Sequence, residues 1–100
     1  MQEYGAERVN SMFALRSFLD AGIRPTLASD YPPGPLEPMM ALQSMVTRTD
    51  INGQVWGPRQ RISVEEALRV ATIHGAYASF EEHIKGSIEP GKLADLVVLG

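Results

Sequence analysis

The stretch SFLDAGIRPTLASDYPPGP, residues 17–35, decides the fold class. Just before it, Met12, Leu15 and Leu19 recur at i, i+3 and i+7, with Phe18 beside them and Arg16, Ser17 and Asp20 on the polar side. That spacing predicts one amphipathic helix from about Val9 to Ala21, with Gly22 placed to end it. Thr26 to Ser29 then reads as a short strand, restricted at its start by Pro25. The following DYPPGP fixes φ at several positions and offers few backbone donors, so a stiff loop is expected. Helix, strand, then loop is the rhythm of a parallel α/β sheet.

Working outward, Met39, Leu42 and Val46 share one face of a second helix, Pro38 to Thr47, with Pro38 suited to its first turn. Residues 48–62 are polar and turn-rich, hold the only Trp, and read as an excursion over the surface. Ser63 with Glu66 matches a capping box, and Glu65 and Glu66 suit the positive end of a helix dipole. Val64, Ala67, Leu68 and Ala71 form the expected inner stripe of that helix. Beyond it Val70, Ile73, Ala76, Tyr77 and Ala78 make it apolar nearly all round, which predicts burial between other elements. The tail contains a turn, IEPGK, and an unbroken β-type run, Leu96 to Leu99, for which only a weak neighbour around Ile84 to Ile88 is in view. A strand without partners marks the chain as a piece of something larger.

Composition narrows the function. One hundred residues make one small domain, and nine Lys+Arg against twelve Asp+Glu leave a net charge of −3 with no basic excess in either half. Nucleic acid and anionic membrane surfaces are therefore not expected partners. The absence of cysteine removes disulfides, thiolate metal ligands and a cysteine nucleophile. No apolar run reaches the ~20 residues of a membrane span, and MQEYGAERVN lacks the layout of a signal peptide, so a soluble cytoplasmic chain is expected.

Asp30 is the first candidate for chemistry. It ends the expected strand, and the carboxyl ends of strands in parallel α/β folds are where metals and catalytic groups gather. A carboxylate there can ligate a divalent cation or act as a general base; equally, it can cap a turn. His74 and His83 stand nine apart, outside any metal-binding spacing; His74 reads as a hydrogen-bonded core histidine and His83 as a solvated one. Residues 86–92, GSIEPGK, fit the first positions of a phosphate-binding loop. Leu93 then replaces the hydroxyl, Pro90 removes a donor, and a strand follows where a helix is needed, so a plain turn is expected. Trp56, Arg59 and Arg61 read as a surface loop, not a base-stacking platform.

Three segments, LDAGIRPTLASDYPPGPLEPMMALQSMVTR, QRISVEEALRVATIHGAYASFEE and KGSIEPGKLADLVVL, resemble in that order the C-terminal part of metal-dependent amidohydrolases, within them the branch of N-substituted formamide deformylase-like enzymes. The resemblance covers the chain from about Arg16 onward. It implies an α/β fold, the C-terminal fragment of a (β/α)8 TIM barrel. Residues 1–80 would be its last part and residues 81–100 the returning strands of a small composite β-sandwich, the fragment itself being mostly helical. It implies that Asp30 ends the eighth strand, binds a divalent metal such as zinc, and shuttles a proton during hydrolysis of a C–N bond in a small amide or formamide. It places the Pro-rich loop and Arg48 at the substrate pocket. The His-x-His pair and mid-barrel ligands of the family are missing, and a whole barrel needs ~250 residues. The fragment alone is therefore expected to hold no metal tightly and to be inactive. The rival expectation is a non-catalytic scaffold or homo-oligomerising domain, in which Asp30 is only a cap.

Overall fold

The computed structural model describes residues 5–32 and 37–100. Among these the elements are helical: α1 (Ala6–Asn10), α2 (Leu15–Asp20), α3 (Pro38–Thr47), a 3-10 turn (Pro58–Gln60), α4 (Val64–Ala71) and α5 (Ile73–Ala78). Residues 33–36 of the Pro-rich loop lie outside the described residues.

The single helix expected over 9–21 is two. Phe13 takes a left-handed φ of 52°, and the carbonyls of Met12 and Phe13 accept hydrogen bonds from the Arg48 guanidinium at 2.8 and 3.2 Å. Those carbonyls would otherwise accept from the next helical turn, so the helix breaks between Asn10 and Leu15. Gly22 ends α2 as expected. With φ at 77° its N–H donates to the Leu19 carbonyl at 3.0 Å and Ile23 donates to Phe18 at 2.9 Å, the paired bonds of a Schellman stop.

α3 occupies the expected residues, with Pro38 in its first turn and Arg48 closing it in the left-handed region. α4 opens with the full capping box: Ser63 Oγ accepts from the Glu66 N–H at 3.1 Å, and Glu66 Oε1 accepts from the Ser63 N–H at 2.9 Å. The inner stripe differs from expectation. Ala67 and Val70 are the buried residues of α4, whereas Val64 is 62% and Leu68 38% exposed. Burial all round is not seen either, because Thr72 breaks the helix at φ −127°, ψ −87° and re-aims α5, leaving Tyr77 half-exposed.

The core is Met45, Ile62, Ala67 and Val70, with Leu15, Leu19, Leu27, Leu42 and Val46 packed against it. The 48–62 excursion is a surface loop whose end tucks inward. Its buried Gln60 side chain accepts from the Ser17 N–H at 3.0 Å and donates to Ser17 Oγ at 2.8 Å, which ties the 3-10 turn to α2.

The strands expected at Thr26–Ser29, Ile84–Ile88 and Leu96–Leu99 are not formed among the described residues, where the one β-type contact is the isolated bridge between Thr49 and Val55. A strand exists only through a neighbour's hydrogen bonds, and these segments find none here. One remnant survives: the Leu93 N–H donates to the Ile84 carbonyl at 2.8 Å across the IEPGK turn. No helix among the described residues is long and apolar enough to cross a membrane.

Candidate functional site

The 23–30 segment carries the main candidate. Gly22 aims it, Leu27 anchors it against the core, and His74 Nδ1 sits 3.0 Å from the Pro25 carbonyl. His74 is thus hydrogen-bonded as expected, but half-buried rather than in the core. The segment ends at Asp30, exposed and at a left-handed φ of 54°, a conformation Asp tolerates better than most residues. The turn that follows is held by Ser29, whose Oγ accepts from the Tyr31 N–H at 3.3 Å. Among the described residues the Asp30 carboxylate takes part in no hydrogen bond or ion pair, so the capping role falls to its neighbour. Beside Ser29 opens a cleft of about 510 Å³ lined also by Glu37, Met40, Gln43, Asp50 and Ile51.

No group of three or more His, Cys, Asp or Glu able to hold a metal occurs among the described residues. A catalytic zinc takes three protein ligands and an open position. Asp30 offers one oxygen donor, so it fits as one member of such a set and the described residues do not complete it.

Arg48 stands at the wall of a neighbouring pocket of about 350 Å³, with its guanidinium engaged. Nε donates to the Trp56 carbonyl at 2.8 Å, Nη1 to Phe13 and Nη2 to Met12. Burial pulls its pKa below the ordinary arginine value. Gly57 is shaped to this clamp: at φ +56° it sits where a Cβ would come within 2.8 Å of Arg48 Nη2.

Asp50 is a residue that the chemistry-led reading passed over. Its Oδ1 accepts from the Asn52 and Gln54 N–H groups, and its Oδ2 accepts from Trp56 Nε1 at 2.8 Å. The Trp56 donor, then the backbone bonds, hold its carboxyl below the usual range. The signal was present in Asp50-Ile51-Asn52-Gly53, an Asx-type turn sequence. Trp56 is therefore a turn strut, and Arg61 Nε donates to the Thr47 carbonyl at 3.0 Å; neither forms a stacking platform. The GSIEPGK segment is a turn closed by Lys92, whose Nζ lies 2.7 Å from Ser87 Oγ and 2.9 Å from Glu89 Oε2. His83 is exposed, its Nε2 3.8 Å from Glu82 Oε1.

The family profile described as the amidohydrolase family matches residues 1–100. The chain belongs to the amidohydrolase family. It is 43% identical over 88 residues to N-substituted formamide deformylase of Arthrobacter pascens, covering 88% of the chain and 16% of that relative. It is 36% identical over 100 residues to the protein LONG AFTER FAR-RED 3 of Arabidopsis thaliana, covering 98% of the chain and 17% of the relative. Against imidazolonepropionase of Geobacillus thermodenitrificans the identity is 35% over 83 residues, covering 83% and 18%. The chain thus spans less than a fifth of the length of these relatives. No solved structure matches it.

Proposed function

We propose that the chain is the C-terminal part of a metal-dependent amidohydrolase that cleaves a non-peptide C–N bond in a small amide or formamide. In this reading residues 1–80 complete a (β/α)8 barrel, residues 81–100 join a composite β-sandwich, and the protein works in the cytoplasm. Two similarities support the substrate class: relatives named as a formamide deformylase and as imidazolonepropionases. The observation that carries the site is the Asp30 carboxylate, exposed and unpaired among the described residues, one position after Ser29, which takes the capping role and lines an open cleft.

Asp30 would supply one oxygen ligand to a divalent metal, zinc by preference, whose other ligands come from sequence outside these residues. When bound, the metal supplies Lewis acidity and a water of lowered pKa. The Asp30 carboxylate takes a proton at one oxygen from the attacking water and returns it to the departing nitrogen. Arg48, committed to three carbonyls, would serve the substrate pocket by fixing the 49–51 turn that lines the cleft.

In a full-length enzyme carrying this segment, Asp30→Asn is expected to lower kcat by at least about 10²–10⁴-fold while circular dichroism and melting stay unchanged. Turnover within a few-fold of the parent would defeat the assignment.

A further inference from the structure

Among the described residues, the backbone of residues 24–30 receives one hydrogen bond from a distant part of the chain. His74 Nδ1 stands 3.0 Å from the Pro25 carbonyl oxygen, across 49 positions of sequence. A carbonyl oxygen only accepts, so Nδ1 holds the proton and donates. His74 lies in the first turn of α5, a helix seated by its buried Ala76. The same helix makes a second contact with the segment, where the Arg24 guanidinium carbon stands 4.2 Å from the centre of the Tyr77 ring. The segment that ends at Asp30 is therefore tied near its start to α5.

We infer that His74 is a positioning residue: through the Pro25 carbonyl it sets where along its own axis the 23–30 segment stands, and so where Asp30 is presented. The inference rests on the amidohydrolase reading of Asp30 and deepens it. Pro25 has no N–H, so a ladder formed by Thr26–Ser29 in the parent barrel would end there, and the Pro25 carbonyl is served from the helix instead. Leu27, packed against the core, resists a large slip of the segment, but apolar packing is non-directional. A hydrogen bond has narrow limits of distance and angle, so it stops the small displacements that packing tolerates. Those matter, because a misplacement of about 1 Å at a reacting group costs about 10²-fold in rate.

The test replaces the donor in a full-length enzyme carrying this segment. His74→Leu and His74→Phe, one keeping the branch and the other the ring, are each expected to lower kcat tenfold or more with KM within about threefold. Two variants are read together so that a packing failure in one, seen by circular dichroism, does not decide the outcome. His74→Asn carries an amide N–H the same number of bonds from Cα as Nδ1, and it is expected to restore kcat to within about threefold of the parent. A residue that only stabilised the fold would shift melting and leave kcat per folded enzyme unchanged. In the 100-residue chain, 15N NMR of the neutral ring is expected to show the proton on Nδ1. Parent-like kcat in a folded His74→Leu or His74→Phe enzyme, no rescue by His74→Asn, or a bare Nδ1 would each overturn the inference. Where Asp30→Asn abolishes turnover and the His74 variants keep it, the positioning role alone falls; an active Asp30→Asn enzyme removes the reading beneath it.

Discussion

Arg48 and Asp30 are the two residues on which the site reading turns, and the structure gives them opposite characters. Arg48 ties the end of α3 to two other stretches, through the carbonyls of the adjacent Met12 and Phe13 and of Trp56. Replacing it with Met leaves those acceptors without a donor, and the expected loss is about 1–3 kcal/mol by urea denaturation. Arg48→Lys is expected to recover little of it, because a single ammonium cannot span the geometry of a planar fork. Gly57→Ala should act in the same direction by pressing a Cβ into Nη2 at a positive φ. Asp30→Asn in the isolated chain is expected to change stability by no more than about 0.5 kcal/mol, since its carboxylate has no partner among the described residues. A loss above 1 kcal/mol there would mean that the carboxylate is structural. None of Arg48's role was legible in advance: two of its three acceptors are backbone atoms some 35 residues away, and no spacing encodes that. Asp30 was legible only as a carboxylate after a β-type segment, because no residue near it in sequence marks a partner for it.

Glu66 links the start of α4 to α2. It closes the capping box on Ser63 and receives Arg16 through both Nη groups, with Nη1 at 2.8 Å from Oε1. Arg16, then the Ser63 N–H, hold the Glu66 carboxyl at about 2, well under its ordinary 4.5. A depressed carboxylate contributes its stability above the unfolded value and loses it as pH falls toward the folded one. Stability should therefore drop between pH 4.5 and about 2. For a pair about a third exposed, screening limits the effect to about 1–2 kcal/mol. Denaturation at pH 6 and pH 3 should show the drop in wild type and a clearly smaller one in Glu66→Gln; equal slopes would refute the pairing. The capping box was legible because its two members are three residues apart. The Arg16 contact was not, being fifty residues distant. The same contrast explains the elements: α3 and the start of α4 follow local rules of capping and proline placement, whereas the division of the 9–21 helix came from a tertiary demand by Arg48.

At the scale of the whole molecule, the Cα radius of gyration is 15.0 Å, against about 13 Å for a compact chain of this length. Among the described residues six hydrophobic residues are buried, while most of the tail is open. The strands expected from residue type are not formed among the described residues, because β-pairing is a property of two segments and no described segment pairs with these. Protection from hydrogen exchange should follow that division. Amides of α4 and the second half of α3 are expected to exchange slowest, because they flank Met45, Ala67 and Val70. Amides of 94–100 are expected at rates near those of an unstructured peptide, since their N–H groups have no acceptor among the described residues. The Leu93 amide, bonded to Ile84, should mark the boundary with intermediate protection. Tail amides as protected as those of α4 would show that the 93–99 segment has an intramolecular strand partner, and the account of an unpaired tail would have to be abandoned.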